Sequence, residues 1–155
     1  MTTYIALVAE KGAGKTVFVE IAKKILQGLR VESVRFSDSL VEILEILGKE
    51  ATRQNISTLA TALRAGFDDD GILNTAMRYR LEKLAADVII LDGLRKPEEI
   101  HLLQGKHYMI VYIAADARTR YERSSARPEK TDEYDMTWEQ FDQQDNLPTE
   151  QSIRM

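Results

Sequence analysis

The stretch AEKGAGKT, Ala9 to Thr16, constrains this chain more than any other. It follows an apolar run, Tyr4 to Val8, and opens a segment with helical periodicity. That is the setting of a phosphate-binding loop. A parallel strand delivers the backbone to a glycine-containing turn, the turn's N–H groups point inward, and the next helix begins with its positive end at the same spot. In the pattern G-x-x-x-x-G-K-[ST] the lysine reaches the β- and γ-phosphates and the hydroxyl ligates Mg²⁺. Lys15 and Thr16 are therefore the candidate chemistry-bearing positions, with Lys11, Gly12, Ala13 and Gly14 forming the cradle. Ala9 stands where the pattern has glycine. If that position needs φ > 0, alanine costs about 1–2 kcal/mol; if it does not, Ala9 is harmless. The bland alternative is a glycine-rich turn before a helix.

At 155 residues the length predicts one domain, 1–155, with a core large enough to fold unaided. A formal charge of −4 argues against broad nucleic-acid binding. With no cysteine, disulfides and thiolate metal sites are excluded, and His101 and His107 are too few for a histidine metal cluster. No apolar run approaches membrane-spanning length and the N-terminus lacks a signal-peptide pattern, so neither a membrane nor a nucleic acid is an expected partner, and the cytoplasm is the expected location.

Tyr4 to Val8 reads as a strand apolar on both faces, as parallel strands are. Val17, Phe18, Ile21, Ala22, Ile25, Leu26 and Leu29 form a helical stripe. Val31 to Phe36 predicts a second, half-polar strand, after which Ser37 or Asp38 can cap a helix closed by Gly48. Lys49 to Asn55 reads as a loop, Ser57 as the cap of a helix stopped by Gly66, and Gly71 to Ala86 as a further helix. Leu59, Leu63 and Phe67 are expected in the core. Val88 to Leu91 predicts a third strand ending at Asp92-Gly93, Pro97 a short helix start, and Tyr108 to Ala115 a fourth strand. Asp116 caps a helix running toward Pro128. Thr137-Trp138-Glu139-Gln140 is a capping-box pattern with Trp138 and Phe141 as anchors. Alternating strands and helices predict a three-layer α/β/α domain with a mainly parallel sheet. Ligands bind such sheets at the carboxyl ends of strands, where Ala9, Asp38, Asp92 and Asp116 all fall.

Asp92 at such an end can hold Mg²⁺ through water, or simply begin an Asp-Gly turn. Asp38 can orient or deprotonate an acceptor hydroxyl, hold a substrate sugar, or be a plain helix cap. Arg118, Arg120, Arg123 and Arg127 follow the fourth strand, and Arg120, Arg123 and Arg127 share a helix face. Guanidinium groups there can stabilise charge on a transferring phosphoryl group, or form a solvated face. Arg53, Arg64 and Arg95 are further phosphate candidates.

These residues carry a family resemblance. AEKGAGKT, TRQN and TALRAGF, VIILDGLRKPEEI, and YIAADARTRYERSSAR followed by WEQFDQQDNLPTEQSI together resemble the P-loop nucleoside monophosphate kinases. The resemblance is to their deoxynucleoside monophosphate kinase and dephospho-coenzyme A kinase-like branch. It covers nearly the whole chain and implies a P-loop NTPase sheet in the order 2-3-1-4-5. It also implies an acceptor-binding helical region at about 38–86 and a lid at about 117–136. Under it, Gly12, Gly14, Lys15 and Thr16 bind ATP phosphates and Mg²⁺, Asp38 and Arg53 face the acceptor, and Asp92 and Arg95 lie near the phosphates. Arg118 and Arg123 or Arg127 come from the lid. The family continues into a fifth strand where this chain has only Gln151 to Met155, so that strand is expected to be lacking. The edge beside the fourth strand is then expected to be uncovered, with homodimerisation or partial disorder there.

The first reading is thus ATP-dependent phosphoryl transfer to a nucleoside or deoxynucleoside monophosphate. Dephospho-coenzyme A kinase and a non-catalytic nucleotide-binding module are the alternatives.

Overall fold

The computed structural model describes residues 1–94, 97–126 and 136–146. Among them four strands form one parallel sheet in the order β2-β3-β1-β4: β1 Thr3–Ala9, β2 Val31–Arg35, β3 Val88–Asp92 and β4 His107–Ile113. In register, Thr3 faces Val88 on one side and His107 on the other, and Arg35 faces Asp92. This is the sheet order expected from the resemblance, as far as the described residues run.

The alternation of side chains along β1 sorts its apolar residues onto two faces. Tyr4 and Ala6 join Val34, Ile89 and Leu91 in a core covered by Met77 and Leu81 of helix α4 (Ile72–Lys83) and by Leu102 and Leu103 of the 3₁₀ turn Pro97–Leu103. Ile5 and Leu7 join Val88 and Ile90 on the opposite face, against Phe18, Ala22 and Leu26 of α1 (Lys15–Ile25) and its C-cap. The two cores make three layers. Every residue of β3 is buried, and each full burial of an isoleucine or leucine contributes about 1.5–3 kcal/mol. β4 is as apolar but sits at the edge, and Tyr108, Met109, Ile110 and Tyr112 are 43–50% exposed. Residues 147–155, on which the fifth-strand expectation falls, lie outside the described set.

Several local expectations are corrected. The helix placed after Ser57 starts earlier: α3 is Arg53–Phe67, and the Thr52 hydroxyl caps it by accepting the Asn55 N–H at 3.1 Å. A threonine two residues before Gln54 captures the first turn, so Arg53 to Asn55 are helical and Ser57 is interior. The helix runs through Gly66 and stops at Asp68, held at φ 49°. Aspartate tolerates this left-handed geometry because its short polar side chain can bond locally. Phe67 is 68% exposed and Ala60 is the buried residue of α3, so the expected apolar anchor lies outside the core. The α1 stripe is split: Phe18, Ala22 and Leu26 face the sheet, while Val17, Ile21 and Ile25 are at least about half exposed. α4 ends at Lys83, where Leu84 turns extended to feed β3.

α2 spans Asp38–Ile46, α5 Ala117–Ala126 and α6 Trp138–Asp145. α6 carries the expected capping box in full, Thr137 and Gln140 bonding each other's backbone. Phe141 is buried, and Tyr121 of α5 meets Trp138 and Phe141 edge-on at 5.4 and 5.6 Å, which docks α6 onto α5. No helix among the described residues is long and apolar enough to cross a membrane.

Candidate functional site

The turn after β1 closes with the Ala13 N–H donating to the Glu10 carbonyl at 3.2 Å. Gly12 and Gly14 take φ of 74° and 113°, a region that costs an L side chain about 1–2 kcal/mol. Ala9 does not share it. Among the described non-glycine residues only Asp68 has positive φ, and Ala9 is the last residue of β1. The first position of the motif therefore asks for no glycine here, and alanine is at home.

Gly14 is the N-cap of α1 and no side chain caps that end. The first N–H groups of the helix, with the positive end of its dipole, are left for an anion. Lys15 is half-buried beside them and Thr16 is exposed. Arg123 reaches back from α5 and donates from Nη1 to the Ala13 carbonyl at 3.3 Å, laying a second cation over the loop. Asp92 lies at the carboxyl end of β3, beside β1, with its side chain 7% exposed and Oδ2 3.4 Å from Arg35 Nε.

Lys11, Arg118 and Asp38 make contacts away from the loop's open side. Lys11 turns its ammonium toward α6, 3.3 Å from Gln144 Oε1 and near the Phe141 ring. Arg118 pairs with Glu122 at 3.2 Å and rests on Tyr121 and Trp138. Asp38 Oδ2 accepts the Arg35 N–H at 2.7 Å, folding that oxygen back onto β2. Arg53 and Arg64 lie on nearly the same side of α3, but eleven residues of helix set them about 16 Å apart. Arg64 lines a cavity of about 320 Å³ with Thr61, Ala65 and Asp68 to Asp70. Arg95 and Arg127 lie outside the described residues, as does most of the lid between α5 and α6.

Of the arginines after β4, Arg120 faces neither solvent nor the loop's open side. It is 2% exposed and its guanidinium grips the Asp145 carboxylate with both terminal nitrogens, Nη2 to Oδ2 at 2.8 Å. Glu10 Oε2 is 3.4 Å from Nε. The sequence reading also passed over Glu10, Ser124 and Asp145. A Cβ on Gly12 would come 2.4 Å from the Arg120 carbonyl oxygen and 2.8 Å from Ser124 Oγ, so α5 forms the floor of the loop. The spacing of Arg120 and Ser124, one helical turn apart, was the available signal. Asp116 starts the same helix: its carboxylate accepts from the Thr119 hydroxyl and N–H, which hold it below the usual carboxylate range.

A glycine loop between a parallel strand and a helix, under an α/β/α sheet of order 2-3-1-4, is the fold of the P-loop kinases. The solved structures of TT1252 from Thermus thermophilus (TM-score 0.56, 16% identity), shikimate kinase from Acinetobacter baumannii (0.51, 17%) and a gluconokinase from Sinorhizobium meliloti (0.51, 13%) share it. They cover 98–99% of this chain and are themselves covered to 84%, 73% and 87%. The chain belongs to the UPF0200 family: it is 30% identical over 144 residues to UPF0200 protein MJ1399 of Methanocaldococcus jannaschii, across 91% of this chain and 70% of that protein. It is 26% identical over 152 residues to UPF0200 protein MmarC6_1392 of Methanococcus maripaludis, across 96% of this chain and 79% of the relative. No family model matches it.

Proposed function

We propose that this chain is an ATP-dependent kinase that transfers a phosphoryl group to a nucleoside or deoxynucleoside monophosphate. The observation that carries the reading is the loop itself: an uncapped helix start with Lys15 beside it and the Arg123 guanidinium laid over Ala13. The Arg123 guanidinium and the helix's free N–H groups lie where a polyphosphate's charge would sit, and Lys15 is the next residue of the chain after Gly14. The transfer passes through a loose transition state in which charge spreads over three equatorial oxygens, so catalysis is mostly positioning and electrostatics.

The donor set also fits a hard cation. Thr16 offers a hydroxyl and Asp92 a carboxylate, and Mg²⁺ commonly takes one or two protein oxygens and completes its shell from phosphates and water. When bound, the ion would neutralise phosphate charge between donor and acceptor.

On the acceptor side, Arg53 at the start of α3 is the cation for an acceptor phosphate. That phosphate attacks as an anion and needs no general base. Asp38, with one oxygen committed to Arg35 N–H, then holds a sugar hydroxyl. Dephospho-coenzyme A presents a hydroxyl nucleophile instead and would demand a base from Asp38.

The test is ATP consumption against a panel of ribo- and deoxynucleoside monophosphates and dephospho-coenzyme A. Turnover with at least one monophosphate is expected. Turnover with dephospho-coenzyme A alone moves the acceptor class, and ATP binding with no turnover on any acceptor favours a binding module. Lys15→Ala should cut turnover about 10³-fold or more, by analogy with the loss of an arginine finger. Near-normal kcat in that variant would sink the assignment.

A further inference from the structure

A carboxylate sits inside a loop read as an anion cradle. Glu10 is 6% exposed and belongs to the loop between β1 and α1. A buried negative charge beside a polyphosphate site repels the ligand unless a cation offsets it. A cation that does not face the ligand lies 3.4 Å from Glu10 Oε2. It is Arg120, which is buried and plays no part in the transfer described above.

Arg120 also ties together two backbone carbonyls and a carboxylate from three parts of the chain. Its Nε donates to the Ala115 carbonyl at 3.0 Å, Nη1 to the Lys11 carbonyl at 3.4 Å, and both terminal nitrogens to Asp145 at the last turn of α6. Its own carbonyl meets the loop at Gly12, where there is room for a hydrogen and nothing larger. The bidentate fork fixes orientation as well as charge, which a lysine could not reproduce.

A buried ion pair is weak evidence for stability, since an apolar replacement is often neutral. The direction of these contacts is more telling: Glu10 and the Lys11 carbonyl are loop groups, and the guanidinium that holds them is locked in turn by α6. We propose that Arg120, clamped by Asp145, is a positioning residue for the phosphate loop. It neutralises Glu10, fixes the loop before any ligand arrives, and makes phosphate affinity depend on how α6 is docked. The proposal rests on the phosphate-binding part of the kinase reading.

The experiment measures the Kd of Mg²⁺–tripolyphosphate and of ATP by calorimetry, with circular dichroism to verify folding. Arg120→Lys and Asp145→Asn are each expected to weaken both ligands about 10–100-fold, as outer partners that orient ligating groups do. The charge component is isolated by adding Glu10→Gln to Arg120→Met: the double variant should bind tripolyphosphate more tightly than Arg120→Met alone. Asp145→Asn keeps the side chain's shape, so it serves as the test should Arg120→Met fail to fold. Wild-type affinity in folded Arg120→Lys and Asp145→Asn proteins overturns the proposal, and so does a double variant no better than the single. A wild type that binds tripolyphosphate with these responses but phosphorylates nothing overturns the kinase reading and leaves the clamp standing. A wild type that binds neither ligand overturns both.

Discussion

The phosphate loop and the helices α2 to α4, which the proposed function makes the donor and acceptor sides, are held in different ways. Behind the loop lie buried groups from distant parts of the chain: Arg120 at 2%, Asp145 and Glu10 at 6%, and Ser124 at 8% exposed. The outer face of the helices has the contrary character, although Leu40 and Leu44 anchor α2 and Met77 and Leu81 anchor α4. α3 buries only Ala60, the Arg80–Glu42 bond at 2.6 Å is solvent-facing, and Ile46, Leu47 and Phe67 are 61–84% exposed. Exposed pairs of that kind contribute about 0–1 kcal/mol. A donor's phosphates are the same whatever the acceptor, so a preformed cradle suits them. If the proposed acceptors bind there, they differ in base and sugar, and α3, with one buried residue, can adjust to them at small cost.

The largest break in that contrast is expected at Gly12. Gly12→Ala places a Cβ at positive φ and against the α5 backbone, and strain plus overpacking should cost about 2–5 kcal/mol. Urea denaturation measures it, and a loss below about 0.5 kcal/mol would mean that the loop is not pressed onto α5.

A smaller effect, confined to the other side, is expected from α3. Arg53→Ala should raise the acceptor KM about tenfold, equivalent to roughly one charge-assisted hydrogen bond, and leave ATP affinity unchanged. Arg64→Ala should change the acceptor KM much less, because about 16 Å of helix separates the two. Equal effects from both would show that the acceptor spans the helix.

The slightest effect concerns Asp116 at the start of α5, on the loop side. Its folded-state pKa is lowered by the Thr119 hydroxyl and N–H, so its contribution to stability is present above the ordinary aspartate range. That contribution is lost as pH falls through the folded value. Carboxyl-carbon NMR should find its midpoint below that range, and Thr119→Val should move it upward. A midpoint above the ordinary range would contradict the cap.

The same contrast governs how far the sequence could be read. The loop, β1 and α1 are local features: an apolar run, glycines, a lysine and a helical stripe within thirty residues announce themselves. The α6 capping box is local too and forms as read. α3 was misplaced because two hydroxyls, Thr52 and Ser57, compete as caps, and only the packed structure selects Thr52. The role of Arg120 was not legible because the residues that claim it are Asp145, 25 positions on, and Lys11, 109 positions back. A solvated arginine face and a buried arginine have the same spacing. Likewise β3 and β4 are comparably apolar strings, and only sheet order puts one at the centre and the other at the edge.

Sheet order also has a consequence for synthesis. β1 leaves the ribosome first, but its partners are β3 and β4, whose registers join Thr3 to Val88 and to His107. At about 5–20 residues per second, roughly 5–20 s pass before both flanking strands exist. Through that interval the first strand is an apolar ribbon with open hydrogen-bonding edges, a state that chaperones recognise and that aggregation exploits. The floor beneath Gly12 arrives later still, with Arg120 and Ser124. A nascent chain halted before α5 therefore carries every letter of the glycine motif and none of the shape, and should be unable to retain a phosphate.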